Sequence, residues 1–318
     1  MSIGTRNRRI LRVSFLVVGS LCLLMLVQWS RSRAHDLQDY RFDPKRVDLG
    51  ELCPGWFAAP MARAFFRAYE EQAGLPFSLL DDAAVDGFAG RVRALAWVRS
   101  LELVRQLPNR MTLDLELERP AAVAPPLRGR LDLVSASGVL LPLDPQRPLE
   151  KVLDHGFGLP APGSPIGAWP APFGLPLLLG VPEHDAARRG ACLAAGASVA
   201  ARVQDGCWPR ARAMLRERGK DPWMPRLLGV DVSNTRMQLI RRPDSAEIRL
   251  VVASRDQHVV YLDWGHSPGG RFVEIPGGTK ARVLILLLEK HPGLEDVAAA
   301  DLRFSNRWQD RIVPLAGR

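Results

Sequence analysis

An apolar stretch near the start of the chain constrains the fold most strongly, because it decides which solvent the following residues meet. Residues 13–29 carry no charged side chain, and Arg12 and Arg31 flank them. A helix over residues 10–30 would be about 30 Å long, which matches the hydrocarbon core of a bilayer. No small-x-small cleavage site follows it, as a signal peptide would need, and it lacks the polar face of a core helix. The sequence therefore predicts an uncleaved transmembrane helix at 13–30.

The predicted topology follows from the lengths of chain on either side of this stretch. Residues 1–12 form a short tail, and nearly the whole chain follows residue 30. Basic residues lie on both sides of the stretch, so the positive-inside rule hardly discriminates between the two orientations. Long domains translocate largely regardless of charge. We therefore expect a single-pass protein of the cytoplasmic (inner) membrane, with a cytoplasmic tail at 1–12 and the bulk of the chain periplasmic or extracytoplasmic.

The positive charge of the chain is concentrated near this stretch. The net charge is +9, and residues 1–46 account for +6 of it through nine Lys or Arg against three Asp. Such a juxtamembrane cluster suits anionic lipid headgroups. No basic stripe with interleaved aromatic residues follows it, so we expect no nucleic-acid partner.

The region after the stretch shows two helical patterns and then a hairpin. Apolar residues recur at helical spacing from Ala62 to Ala73, and again from Val85 to Leu95, after Asp81-Asp82, which can cap the second helix. Residues 111–118 then alternate strictly, which predicts a strand whose apolar face covers a core. The residues predicted on that face are Met111, Leu113, Leu115 and Leu117. Two helices must cover this face, so the unit is predicted to run strand, helix, helix, strand, strand.

The second half of the sequence predicts a mixed β-sheet domain with flanking helices. The chain as a whole is therefore predicted to have an α+β fold. Residues 154–182 are rich in Pro and Gly, which predicts a loop. Helices are predicted at 184–203 and 210–218, broken by Gly206 and Pro209, and at 279–290, capped by Thr279. Strands are predicted at 227–232, 237–240, 248–252, 259–262, 297–304 and 308–313.

The sequence contains no recognisable catalytic constellation. It has no Gly-x-Ser-x-Gly elbow, no paired metal-spaced histidines and no phosphate loop. The run 277–280 reads Gly-Gly-Thr-Lys but lacks the earlier glycine of a phosphate loop, so it predicts a turn before a helix. His258 and His266 flank Asp263 and are interpreted as surface residues at strand ends. We therefore expect no enzyme, no catalytic residue, no cofactor, no metal and no small-molecule substrate.

The cysteines do not form a disulfide framework. Outside the apolar stretch the chain has Cys53, Cys192 and Cys207, an odd number without metal-like spacing. Two interpretations are possible: a disulfide between Cys192 and Cys207, or buried free thiols. Buried thiols are the favoured interpretation.

Several motifs together resemble the FtsQ/DivIB cell-division family. Ala96-Trp97-Val98, Leu107-Pro108-Asn109 and the strand that ends at residues 117–124 are similar to its POTRA domain. Residues 47–55 depart from the family, whose first strand is usually a Val-rich run that ends in Gly. Residues 131–142 resemble the start of its second domain, and residues 175–180 resemble a short segment that opens a helix. The resemblance implies a POTRA-like βααββ domain at 40–123, a C-terminal β domain at 124–318, and a membrane-anchored divisome scaffold at the division site.

The same resemblance implies a partner-binding segment near the C-terminus. Asp301-Leu302-Arg303-Phe304 resembles the family's last strand region, although Arg307 stands where many members have Gly. In that family this region contacts small bitopic coiled-coil proteins of the FtsB/FtsL type. Strand addition is the expected binding mode, with aromatic anchors and arginines that meet acidic side chains. The implied partner-binding residues are Asp301, Leu302, Arg303, Phe304, Ser305, Asn306, Arg307 and Trp308.

Two other functions stay open at the level of sequence. A POTRA-type module for outer-membrane protein assembly or secretion would call for repeated POTRA units and a C-terminal barrel. A membrane-anchored enzyme of unrecognised type would be favoured by a pocket whose titratable groups have shifted pKa values.

Overall fold

A computed structural model describes residues 17–30, 33, 37–49, 53–127, 130–143, 157–167, 169–220, 223–235, 246–266, 274–304, 306 and 308–315. Contacts within the chain divide it into two compact units. The first unit comprises 1–54 and 65–117, and the second comprises 55–64 and 118–318. The fold is mixed α+β.

The predicted transmembrane helix at 13–30 is wrong. Among the residues that the structure describes, no helix is long and apolar enough to cross a membrane. The predicted tail at 1–12 lies outside the described residues.

The first unit alternates short strands with helices and ends in a hairpin. Its elements are β1 (Arg41–Phe42), α1 (Ala59–Ala73), β2 (Phe77–Ser78), α2 (Asp82–Arg93), β3 (Val98–Gln106) and β4 (Arg110–Leu117). The first part of α1 clusters with the second unit. Strand β1 pairs antiparallel with β2, and β3 pairs antiparallel with β4. The carboxylate of Asp81 accepts a hydrogen bond from the Ala84 N–H, so the predicted cap of α2 is confirmed.

The apolar periodicities of the first unit correspond to its buried faces. In α2 and just beyond it, Val85, Phe88, Val92 and Leu95 are all buried. In β4, Met111, Leu113 and Leu117 are buried as predicted, whereas Leu115 is only half-buried. The alternation therefore identified the correct face of the hairpin.

The second unit is built on a nine-stranded mixed sheet. Its strands are β5 (Pro120–Val123), β6 (Asp132–Ser135), β7 (Leu140–Pro142), β8 (Leu177–Leu179), β9 (Arg226–Asp231), β10 (Ile248–Ala253), β11 (Val259–Gly265), β12 (Val297–Asp301) and β13 (Ile312–Pro314). The spatial order is β13-β12-β11-β10-β9-β8-β5-β6-β7. The pairs β11–β12, β8–β9 and β5–β8 are parallel, and the other pairs are antiparallel.

The segment predicted as a loop at 154–182 contains a central strand of this sheet. Strand β8 lies between β5 and β9, and its three leucines are fully buried. A strand covered on both faces carries a continuous apolar run rather than an alternating one, so its periodicity gave no signal. The strand predicted at 237–240 lies outside the described residues.

The helices of the second unit differ from prediction in two places. They are α3 (Ala186–Ala201), α4 (Trp208–Glu217) and α5 (Gly277–Lys290). A π-helical segment, Arg202–Cys207, joins α3 to α4, so Gly206 and Pro209 do not break the helix. Pro209 lies in the first turn of α4, where its missing N–H costs little. Helix α5 begins at Gly277 after Pro276 and has no side-chain cap, so the predicted Thr279 cap is wrong.

Candidate partner-binding site

The segment implied as partner-binding begins where β12 ends. Asp301 is the last residue of β12, and the N–H of Leu302 donates to the Asp263 carbonyl at 3.0 Å, which extends the contact with β11. Leu302 is buried, Asn306 and Phe304 are exposed, and Trp308 packs partly against the core. Ser305 and Arg307 lie outside the described residues.

A row of charged side chains crosses the sheet beside this segment. Strand register places Asp231 of β9 opposite Arg249 of β10, Arg249 opposite Asp263 of β11, and Asp263 opposite Asp301 of β12. Residues directly opposite in neighbouring strands share a face, so the four side chains form one row. The Nε of Arg249 donates to Asp231 Oδ2 at 2.8 Å. We call these four residues, together with Arg303, the charge row.

Asp301 organises the C-terminal end of the charge row. Its two carboxylate oxygens accept hydrogen bonds from Nε and Nη2 of Arg303 at 2.9 and 2.7 Å. The Nη1 of Arg311 lies 3.4 Å from the same carboxylate. The two-pronged pair is the strong form of an arginine–carboxylate contact. Arg303 therefore directs its charge into the protein, which leaves Arg311 as the better candidate to meet an acidic partner.

Asp263, the middle carboxylate of the charge row, has a raised pKa. Burial and the neighbouring Asp301 carboxylate raise the pKa of Asp263 to about 6. Arg303, whose Nη2 lies 3.8 Å away, offsets this only in part. The row is therefore sensitive to mildly acidic pH.

An exposed aromatic ring lies at the end of the charge row. Phe304 is 38% exposed, and its ring centroid lies 4.1 Å from Cζ of Arg311 and 5.3 Å from Cζ of Arg303. Cations at these distances attract the ring face and hold the ring in place. Val313 of β13 is also exposed. We call Phe304, Arg311 and Val313 the Phe304 surface.

Two of these three residues were not predicted from the sequence. Arg311 and Val313 lie in the predicted return strand, but only the fold brings them to the end of the charge row. The segment 309–311 is a 3₁₀ turn, and β13 follows it. No signal in the local sequence marks Val313 as exposed.

Strand β13 is an edge strand that offers few backbone donors. The N–H of Ile312 donates to the Gln309 carbonyl, and Pro314 has no N–H. The N–H of Leu315 donates to the Asp296 carbonyl at 2.9 Å. Proline and used donors are devices that protect a sheet edge from unwanted pairing. Within β13, only the Val313 N–H could serve an added strand.

The titratable residues singled out in the sequence lie elsewhere. His258 is buried rather than on the surface, and its Nδ1 lies 2.7 Å from Asp256 Oδ1. His266 contacts Glu247 at 3.2 Å, so these contacts link neither histidine to Asp263. Cys192 and Cys207 are both buried, and both are thiols rather than members of a disulfide. Within the described part of the chain, no three His, Cys, Asp or Glu side chains lie close enough together to hold a metal ion.

Comparison with models of known protein families and with characterised proteins gives no match to this chain.

Proposed function

We propose that the protein is a scaffold that binds a partner protein of the cell-division machinery through the Phe304 surface. The observation that carries this proposal is the exposed Phe304 ring, which two guanidinium groups contact. Aromatic and arginine side chains dominate the binding energy of protein interfaces. The division role and the choice of partner rest on the resemblance of residues 96–142 and 301–304 to the FtsQ/DivIB family.

The charge row supports this role because it makes the surface rigid before a partner arrives. Asp301 holds Arg303 through two hydrogen bonds and lies 3.4 Å from Arg311. Both arginines then contact the Phe304 ring. Side chains that are already ordered lose less conformational entropy when they bind.

The binding mode that fits this geometry relies on side chains more than on added strand pairing. Strand β13 provides at most one free backbone donor, so a partner strand would gain few backbone hydrogen bonds from its N–H groups. An apolar partner side chain against Phe304 and Val313, and an acidic one at Arg311, match the chemistry of the surface. A small coiled-coil division protein of the FtsB/FtsL type can present such a pair at helical spacing.

The test is direct binding of the purified protein to peptides from the FtsB- and FtsL-type proteins of the same genome. Phe304→Ala should weaken the tightest of these complexes about thirtyfold, as expected for the loss of a central aromatic anchor. Phe173 provides a matched control, since it is 39% exposed and lies in a different part of the second unit. Phe173→Ala should leave the affinity unchanged.

Thermal unfolding of each variant shows whether the fold is intact. Equal affinities for Phe304→Ala and the unchanged protein, with both folded, would move the interface elsewhere. If the protein binds none of these peptides, FtsB- and FtsL-type proteins are not its partners.

A further inference from the structure

The first unit contains a slot beside the free edge of β4. Strands β3 and β4 form a sheet of two strands, and β1 pairs with β2 instead of with β4. A cavity of about 510 Å³ lies along the first half of β4, with residues 110–113 on one side and residues 41–43 and 46–48 on the other. We call this cavity the β4 slot. Within the described residues, no strand pairs with the edge of β4 that borders it.

The backbone of β4 directs hydrogen-bonding groups away from β3, at this free edge. Opposite residues in an antiparallel pair are alternately hydrogen-bonded and non-bonded, and the backbone groups of a non-bonded pair point away from the partner strand. Leu101 lies opposite Leu115, and its carbonyl accepts a hydrogen bond from Nη2 of Arg93 at 3.2 Å, so this carbonyl points away from β4. The pair is therefore non-bonded. Met111 and Leu113 precede Leu115 by four and two residues, so their N–H and C=O groups also point to the free edge.

These backbone groups belong to buried residues and have no backbone partner. Met111 and Leu113 are only 9% and 5% exposed. Outside the β3–β4 ladder, neither residue takes part in a backbone hydrogen bond within the described part of the chain. Backbone N–H and C=O groups at buried positions are almost always paired in native proteins, because an unpaired group costs free energy. A strand added at this edge would pair them.

The described part of the chain does not provide that strand. Val47 lines the slot, but residues 47–49 and 53–55 have no strand conformation. The edge of β4 thus differs from the edge of β13, where a proline and a hydrogen bond within the chain use up most backbone donors. Edges that lack such protection are the ones that pair with another chain.

The side chains around the slot fit an extended segment of alternating character. Phe42, Met111 and Leu113 are buried and give the slot an apolar side, whereas Thr112 is exposed. Successive side chains of a strand point to opposite faces. In an added strand, alternate apolar side chains can therefore pack on the apolar side while the residues between them meet water.

The charged residues of the slot favour an acidic residue in that segment. The lining includes three arginines and two aspartates, which are Arg41, Arg46, Arg110, Asp43 and Asp48. The Nε of Arg46 lies 3.3 Å from Oδ2 of Asp43. Arg41 and Arg110 are exposed and form no ion pair with another described residue. A carboxylate at this end of the slot would complement their charge.

We propose that an extended segment of a partner protein adds to the free edge of β4 inside the β4 slot. Its backbone pairs with Met111 and Leu113, its alternate apolar side chains pack on Phe42, and an acidic side chain meets Arg110. Residues 110–113 extend over roughly 13 Å, so about four residues of the partner lie in the slot. The slot shares no residue with the Phe304 surface, so this inference does not depend on the proposed function.

Amide hydrogen exchange in the free protein, followed by NMR, tests the edge itself. The amides of Met111 and Leu113 should exchange about tenfold faster than those of Thr112 and Asp114, which bond to β3. Equal protection of all four amides would show that the chain itself already fills the slot, and the proposal would then be wrong.

Calorimetric titration of the full chain with synthetic peptides tests the occupant. The probe is a peptide of about six residues, the usual length of a strand, in which valine alternates with glutamate. Saturable one-to-one binding is expected, together with new protection of the Met111 and Leu113 amides. Two N-methylated peptides, one modified at the valines and one at the glutamates, keep all side chains. Only the set that faces β4 should matter, so one modified peptide should bind about tenfold more weakly and the other almost normally.

Variants of the protein test the charge of the slot. Arg110→Gln should weaken binding of the valine–glutamate peptide about threefold, as expected for an exposed ion pair. Arg67→Gln is the matched control, because Arg67 is an exposed arginine of the same unit outside the slot lining. A peptide with lysine in place of glutamate should bind more weakly than the glutamate peptide.

Two binding results would overturn the proposal. One is the absence of saturable binding by both the glutamate and the lysine peptide. The other is binding that protects the amides of Leu103 and Arg105 instead of those of Met111 and Leu113, since it would place the added strand on β3.

Discussion

The charge row and the charged residues around the N-terminus of α5 both belong to the second unit, yet they differ in how completely their charges are paired. In the charge row, Asp231 binds Arg249 and Asp301 binds Arg303, with short hydrogen bonds in each pair. At α5, Glu274 lies 2.6 Å from Arg202 and 3.3 Å from the Nζ of Lys280, whereas the exposed Arg210 forms no ion pair within the described residues. A closed set of buried pairs is costly to break, whereas an open set that contains an exposed charge is solvated by water and depends little on pairing.

The largest expected effect breaks the closed set. Asp301→Ala removes a carboxylate that is 6% exposed and leaves the partly buried Arg303 without its main partner. We expect a loss of about 3 kcal/mol in the free energy of unfolding, because an uncompensated buried charge is costly. Urea denaturation measures this loss. Asp310→Ala, an exposed aspartate of the same region, should change stability by less than about 0.5 kcal/mol.

A smaller effect concerns the pH response of the charge row. The pKa of Asp263 rises from its ordinary 3.8 to about 6 on folding, so the folded protein holds this proton more tightly than the unfolded chain. The stability that this proton provides is present below about pH 4 and is lost as the pH rises through 6. The side chain is about a quarter exposed, so we expect a loss of roughly 2 kcal/mol rather than the full shift.

Asp263→Asn removes this proton and should remove that part of the pH dependence. The variant should be more stable than the unchanged protein at pH 7 and should gain nothing at pH 4. Unfolding curves at several pH values between these limits measure the difference. Parallel curves for the two proteins would show that Asp263 has an ordinary pKa in the folded state.

The smallest expected effect tests the open set at α5. Arg210→Gln should raise the free energy of unfolding by about 0.5 kcal/mol, because it removes a cation that lies against the positive end of α5. Arg212→Gln should leave it unchanged. A loss of stability in Arg210→Gln would mean that a negative group already balances the guanidinium.

Local sequence patterns were sufficient to predict those elements that have their own apolar periodicity or their own capping residue. The alternation of residues 111–118 predicted the face of β4, and Asp81 predicted the start of α2. The exception within that face is Leu115, which is half-buried although it shares the alternation. Depth of burial depends on what covers a face, and the strand's own sequence does not contain that information.

The regions that could not be predicted depend on contacts between distant residues. Asp231, Asp263 and Asp301 form one row only through strand register, and about 30 residues or more separate each from the next in sequence. Strand β8 was missed because three buried leucines carry no period. The position of Arg210 against Gly278 was missed because the two residues belong to different helices, and nothing in the local sequence of either helix joins them.

The most direct test of the proposed function is the position of fluorescent fusions in dividing cells of the native organism. The proposal requires that the Phe304 surface recruits the protein to its division partners. The unchanged protein and Phe173→Ala should both concentrate at the division site, and Phe304→Ala should spread away from it at equal abundance. Concentration of Phe304→Ala at that site, or a uniform distribution of the unchanged protein, would contradict the account.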